Sequence, residues 1–275
     1  MLNLQEEGRP LAKVINGPYN GLVVSVVEDP KPDIKTYTHL KLPKRNPTDD
    51  ITNETDEDKY KGVFCQIPNT KKEREILYIC GPSGSGKSHY TKSYALQFKK
   101  ALPTYPIFVF SNLKSDETLD KVPGIKRIAI DERLISEPLQ VADFQNSLVI
   151  FDDIDVISPK KIGKTKTSLR DAVYQILDEI LETGRHHNVY CVVTNHAATD
   201  GHRTRSVLSE CHSITYFPHS GSKVQIERLL TAYAGLGKED IERFKKSGSR
   251  WATIFKNYPQ IAMTERNIYL LSDTN

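Results

Sequence analysis

From Glu75 onward, short apolar runs alternate with helix-patterned segments. The runs are ILYIC (Ile76 to Cys80), IFVFS (Ile107 to Ser111), RIAI (Arg127 to Ile130), SLVIFDD (Ser147 to Asp153), VYCVV (Val189 to Val193) and SITYF (Ser213 to Phe217). Apolar residues at successive positions predict strands buried on both faces, and helices between them imply a mostly parallel sheet covered on each side. KSHYTKSYALQFKKA follows the first run as a helix. SLRDAVYQILDEILET places Leu169, Ala172, Val173, Ile176, Leu177, Ile180 and Leu181 at helical spacing on one broad face. Two more helices are expected at Gln225 to Tyr233 and Lys238 to Lys246, then β-like pieces around WATIF and NIYLL.

The beginning of the chain reads differently. GLVVSVVED (Gly21 to Asp29) predicts a strand after the turn-like NGPYNG. Asp29 to Gly62 is rich in Pro, Asp, Asn, Thr and Lys, lacks apolar periodicity, and predicts loop or linker. The expected organisation is an N-terminal extension, partly β with a polar linker, over 1–72, and an α/β domain over 73–275.

Composition narrows the class only modestly. The 275 residues are 38% hydrophobic and 27% charged, enough for a real core, and the formal net charge is +3. That balance is too mild to argue for nucleic acid, so any basic surface has to be local. No run approaches membrane-spanning length, and MLNLQEEGRP lacks the order of a signal peptide. Cys65, Cys80, Cys191 and Cys211 lie far apart with no C-x-x-C pair, which speaks against zinc. Cys80 and Cys191 sit in apolar runs as expected buried thiols, in keeping with a reducing compartment.

The chemistry enters with GPSGSGKS, which matches G-x-x-x-x-G-K-[ST] between a predicted strand and a predicted helix. Glycines let the backbone wrap a phosphate with its N–H groups inward, and the helix adds the positive end of its dipole. The expected nucleotide-binding residues are Gly81, Pro82, Ser83, Gly84, Ser85, Gly86, Lys87, Ser88 and His89. Lys87 is expected to reach the β- and γ-phosphates of ATP, and the Ser88 hydroxyl to ligate Mg²⁺. SLVIFDD supplies the partner element, an apolar strand ending in acid. Asp152 is assigned to the metal and Asp153 to polarising the attacking water. A second acid there favours hydrolysis or phosphoryl transfer over nucleotide sensing.

LETGRHHNVYCVVTNH joins a helix end to a strand. If that strand lies beside the two motif strands, Thr194 and Asn195 sit where a polar sensor would touch phosphate or water. Arg185 then lies at the strand's other end, roughly 20 Å or more away by strand rise. It can serve a neighbouring subunit's nucleotide by stabilising charge on the transferred phosphoryl group. The alternative is a helix C-terminal cation satisfying the last carbonyls. His186 and His187 lack metal-ligand spacing and read as capping or interface residues; His196 follows the sensor and reads as a plain loop histidine or as a helper of the sensor. Two basic loops, Ser158 to Arg170 and Asp200 to Arg205, suit either phosphate-backbone contacts or a solvated surface.

GPSGSGKS, SLVIFDDID, the amphipathic helix and GRHHNVYCVVTNH together resemble the genome-packaging ATPases of large nucleocytoplasmic DNA viruses. These include the poxvirus-type packaging ATPase, within the FtsK–HerA superfamily of P-loop NTPases. The resemblance covers about residues 73–220. It implies a RecA-like P-loop NTPase core with a strand between the two motif strands. It implies a homo-oligomeric ring, a pentamer or hexamer, that moves double-stranded DNA through a capsid or portal-vertex partner. Work in the host cytoplasm, at the viral factory, and association with the virion follow from the same likeness. By motif position Lys87 and Ser88 carry the phosphate and metal roles, Asp152 and Asp153 the acidic roles, Arg185 the arginine finger and Asn195 the sensor. One position departs: Asn195 stands where the family commonly has glutamine, one methylene longer. Two other readings suit the motifs: a nucleotide or small-molecule kinase, which needs a second substrate, and an assembly protein that binds nucleotide without turnover.

Overall fold

The computed structural model describes residues 1–42, 62–71, 74–160, 167–199 and 201–271. Its main element is a ten-stranded sheet. In chain order its strands are β4 (His39–Lys41), β6 (Ile76–Cys80), β7 (Ile107–Ser111), β8 (Ile125–Ile128), β9 (Ser147–Asp152), β10 (Val189–Asn195), β11 (Ser213–Tyr216), β12 (Ala252–Phe255), β13 (Ile261–Thr264) and β14 (Asn267–Leu270). Across the sheet the order is β4-β14-β13-β12-β11-β6-β10-β9-β7-β8. The half from β11 to β8 is parallel throughout. The half from β11 to β4 is antiparallel.

The two faces of the parallel half are both apolar, as continuous hydrophobic runs require. On one face Leu77, Ile79, Leu148, Ile150 and Val192 meet Tyr94, Ala95 and Phe98 of α1 (Lys87–Ala101). On the other, Tyr78, Val149, Phe151, Cys191 and Val193 meet Val173, Ile176, Leu177 and Ile180 of α3 (Leu169–Thr183). The strand period of two sends alternate residues to opposite helices. α2 (Arg133–Ser136), α4 (Gly201–Glu210), α5 (Lys223–Ala234) and α6 (Lys238–Lys246) complete the helices. Leu208, Leu229, Leu230 and Phe244 from the last three are buried on the α3 face.

β1 (Leu2–Asn3), β2 (Arg9–Ile15), β3 (Val23–Val26) and β5 (Val63–Gln66) form a second sheet, order β1-β3-β2-β5, with antiparallel pairing throughout. Leu11, Val14, Val24 and Phe64 of this sheet share a core with Phe255, Ile261, Met263 and Ile268 of the large one.

Three features differ from the sequence reading. The strand expected at Arg127 to Ile130 runs Ile125–Ile128, because pairing with β7 aligns Ile107 with Ile125 and Phe110 with Ile128. Within the segment read as linker, His39–Lys41 forms β4. It is a surface edge strand of only three residues, too short for its alternation to be read from sequence, and it is set by its pairing with β14. β2, β5 and β13 were not expected at all; β2 carries Pro10 and shifts register between Pro10 and Ala12, which blurs its alternation. Most of the linker, 43–61, lies outside the described residues.

Candidate functional site

The C-terminal ends of β6, β7, β9 and β10 come together in register: Cys80 lies beside Asn195, and Ser111 beside Asp152. β10 sits between β6 and β9, so the strand that leads into the phosphate loop and the strand ending in acids flank it. Polar residues at these strand ends need no further device to converge, because adjacent strands lie only about 5 Å apart.

Residues 81–86 bridge β6 to α1. Gly84 and Gly86 have φ of 76° and 109°, backbone that side chains rarely adopt, so the loop's turn depends on glycine there. Gly81 answers a contact: a Cβ on it would lie 2.6 Å from Ser85 Oγ and 2.7 Å from the Phe217 ring. The fifteen-residue α1 starts at Lys87 with no side-chain cap and no acid in its first turn. Its first N–H groups and dipole therefore keep their preference for an anion. Ser85 Oγ is buried and has no hydrogen-bond partner among the described residues. These features fit the phosphates of a nucleotide.

Around the loop a cavity of about 520 Å³ gathers Lys87, Ser88, Asp116, Asp152, Asp153 and His196. Lys87 is 6% exposed; its Nζ donates to Gly81 O at 2.9 Å and lies 3.4 Å from Asp153 Oδ2. His196 bridges the same two groups, with Nδ1 3.2 Å from Lys87 Nζ and Nε2 3.1 Å from Asp153 Oδ2. Asp152 ends β9 and is held from both sides. Ser111 Oγ donates to its Oδ2 at 3.1 Å and Thr194 Oγ1 lies 3.0 Å from its Oδ1. Burial, then the neighbouring Asp153 carboxylate, push the Asp152 carboxyl up; the Thr194 and Ser111 hydroxyls oppose this. Asp153 takes a left-handed turn, φ 45°, which brings its N–H to Thr194 Oγ1 at 2.9 Å. The Ser88 hydroxyl and the Asp152 carboxylate are hard oxygen donors of the kind Mg²⁺ takes.

The other expected residues divide. Pro82 and Ser83 lie in the loop and His89 on the first turn of α1, where it lines the cavity. Asn195 is 5% exposed and does not line the cavity; its Oδ1 accepts from Ala197 N–H at 3.2 Å, and its carbonyl from Gly81 N–H at 3.0 Å. Thr194 and His196 on either side reach the acids instead. Alternation along a strand is the signal that could have found His196, since residues two apart share a face. Arg185 lies in the short 3-10 turn Gly184–His187 before β10, the end opposite the phosphate loop. It lines a separate cavity of about 760 Å³ with Arg74, Glu182 and His212. Arg74, from outside the helix, donates its guanidinium to Ile180 O and, at 2.6 Å, to Leu181 O, two of the last carbonyls of α3. His187 accepts Asn146 N–H on its carbonyl at 2.9 Å. Of the two basic segments expected as loops, Gly201 to Arg205 instead opens the helix α4, while residues 161–166, residue 200 and the side chains of 201–203 lie outside the described residues. All four cysteines are buried free thiols. Among the described residues no helix is long and apolar enough to cross a membrane.

Comparison with known proteins adds three findings. The model of the ATPase family associated with various cellular activities (AAA) matches residues 77–219, just over half of the chain. An uncharacterized protein, V3, of Sputnik virophage is 38% identical over 260 residues, 94% of each chain. Among solved structures, the chain is similar to the genome packaging NTPase B204 of Sulfolobus turreted icosahedral virus 2, at 15% identity and a TM-score of 0.46, over 70% of this chain and 99% of that one. It is also similar to the cytoplasmic domain of the Type VII secretion ATPase EccC of Thermomonospora curvata, at 13% identity and a TM-score of 0.49, over 78% of this chain and 28% of that one.

Proposed function

The chain belongs to the AAA family of ATPases, and we propose that within it the protein is an ATP-hydrolysing motor that moves double-stranded DNA, packaging a viral genome into a capsid. One observation carries the hydrolytic part: a second acid, Asp153, stands beside the phosphate-loop lysine and is bridged to it by His196. A nucleotide-binding protein without turnover has no need of that acid.

In this reading Lys87 exchanges its contact with Asp153 for the phosphates of ATP, and the N–H groups of the loop and of α1 hold the rest of their charge. Asp153, released from Lys87 and still within reach of His196, orients and polarises the attacking water. Mg²⁺ would be held by Ser88 and Asp152, and when bound it supplies charge neutralisation between the phosphates. Arg185, at the end of β10 opposite the phosphate loop, would act on a neighbouring subunit's site in a ring of five or six and not on its own. Asn195 supports the loop through its carbonyl, and its role as sensor is part of the proposal.

The DNA-packaging part is supported by the order of motifs described above and by the virophage relative, which suits a viral setting. The poxvirus-type assignment, the capsid or portal partner, action at the viral factory in the host cytoplasm and the division into 1–72 and 73–275 belong to the same proposal.

The test is ATP hydrolysis by the purified protein with and without long double-stranded DNA, with Lys87→Ala as the blank. Stimulation by DNA that disappears in the blank is the expected result. ADP release that requires a second substrate, with the γ-phosphoryl group transferred to it, would replace the motor with a kinase. Binding without turnover under either condition would replace it with an assembly factor.

A further inference from the structure

A second cleft lies on the other side of the phosphate loop. It encloses about 530 Å³ and is walled from three directions. α1 contributes His89 and Tyr90, the turn before β12 contributes Trp251, and the N-terminal sheet contributes Val63 and Phe64. Gly86 and His89 line both this cleft and the phosphate cavity, so the two spaces are neighbours across the loop.

Their chemistry differs. The phosphate cavity carries the carboxylates Asp116, Asp152 and Asp153, and no Phe, Tyr or Trp lines it. The cleft carries Tyr90, Phe217 and Trp251. Tyr90 and Trp251 meet edge to face at 5.0 Å, and the Phe217 ring lies under the loop, 3.3 Å from where a Cβ on Gly86 would stand. A concave space of this size, mostly apolar with a few polar groups at its rim, suits a small planar ligand. A nucleoside triphosphate seated on the loop by its phosphates must send its sugar and base to one side or the other. Among the described residues only this side offers aromatic surface to a base.

We propose that this cleft holds the base and ribose of the bound nucleotide, with Trp251 as the stacking residue and β5 of the N-terminal sheet as one wall. The proposal rests on the nucleotide reading above and deepens it: the N-terminal sheet becomes part of the nucleotide site. β5 is fixed firmly enough for that. Phe64 N–H donates to Glu265 O at 2.9 Å, Tyr90 Oη donates to Gln66 Oε1 at 2.8 Å, and Cys65 Sγ lies 3.0 Å from Ser93 Oγ. The strand is thus tied to α1, the helix whose first turn faces the phosphates, and to the turn joining β13 and β14.

The chain has a single tryptophan, so its emission reports on Trp251 alone. ATP and inorganic tripolyphosphate, which lacks a base, are titrated while binding is measured in parallel by calorimetry. Both are expected to bind, and only ATP to change Trp251 emission. Trp251→Ala is expected to weaken ATP about tenfold, the scale of one base-stacking contact, and to leave tripolyphosphate unchanged. Trp251→Phe should restore most of the loss. Val63→Phe, which narrows the cleft from the N-terminal wall, should show the same selective loss and keeps the test open if Trp251→Ala fails to fold. Unchanged Trp251 emission at calorimetric saturation, an equal change with tripolyphosphate, or ATP affinity indifferent to Val63→Phe overturns the proposal and leaves the nucleotide reading standing. Failure of both ligands to bind removes the nucleotide reading and this inference with it.

Discussion

Lys87, Asp153 and His196 form a closed triangle in which each group satisfies the other two. An ammonium 6% exposed would be costly alone, and the acid offsets that cost until a phosphate arrives. Asp153→Asn removes the charge that polarises water but keeps the shape. It is expected to lower steady-state turnover about 100-fold or more with ATP affinity, read by calorimetry, little changed. Glu75 presents a different residue-scale case at the opposite end of β6. Burial pushes its carboxyl from 4.5 up to about 7, against the Asn69 N–H, the nearby Arg9 and the Tyr94 hydroxyl, which favour the charged form. A raised folded-state value means the folded protein holds this proton more tightly. The stability so gained is complete below about pH 4.5 and lost as pH rises through about 7. Glu75→Gln cannot ionise, so its Tm should gain on the wild type as pH rises from about 5 to 8. Parallel Tm profiles for the two proteins would show that Glu75 does not titrate in that window.

At the scale of elements, α3 shows how a helix end is set by local chemistry. Ser168, fully buried, accepts the Asp171 N–H at 3.1 Å, while the Asp171 carboxylate accepts the Ser168 N–H at 3.3 Å. This reciprocal pair satisfies two donors that the first turn leaves open. At the other end Arg74 holds the carbonyls of Ile180 and Leu181, just before the turn that carries Arg185. Ser168→Ala should cost about 1 kcal/mol and lower Tm by roughly 2–4 °C, measured by thermal unfolding. The site acids bond to Ser111, Thr194, Lys87 and His196 and not to Ser168, so hydrolysis by the folded variant is expected to be unchanged.

For the molecule as a whole, the consequential contact is the core shared by the two sheets. Leu11, Val14, Val24 and Phe64 cover Phe255, Ile261, Met263 and Ile268, and Trp251 packs at the edge of the same cluster. Leu42 N–H and Phe64 N–H bond to the Arg266 and Glu265 carbonyls in the turn between β13 and β14. Removing the N-terminal sheet would expose that apolar face. Unfolding followed by far-ultraviolet circular dichroism and by Trp251 emission should therefore give coincident transitions. Two separated transitions would mean that the N-terminal sheet melts on its own.

What the sequence by itself determined is what depends on neighbours along the chain. The phosphate loop, the acids at the end of β9, the apolar face of α3 and the both-sides-buried strands β6, β7, β9, β10 and β11 were legible because each is written in a short, strongly patterned segment. Those strands also dictate a parallel sheet, since only helices on both faces can cover them. Tertiary structure decided what depends on distant residues. β4 exists because β14 offers it an edge, and β8 takes its register from β7, not from its own pattern. His196 enters the site, and the Asn195 side chain stays out of the cavity, because β10 pairs with β6 and β9 in one particular register. A single-residue slip in that pairing would exchange the two faces of the strand. The aromatic cleft joins residues from widely separated stretches of chain, among them Val63–Phe64, His89–Tyr90, Phe217 and Trp251, which no local pattern connects.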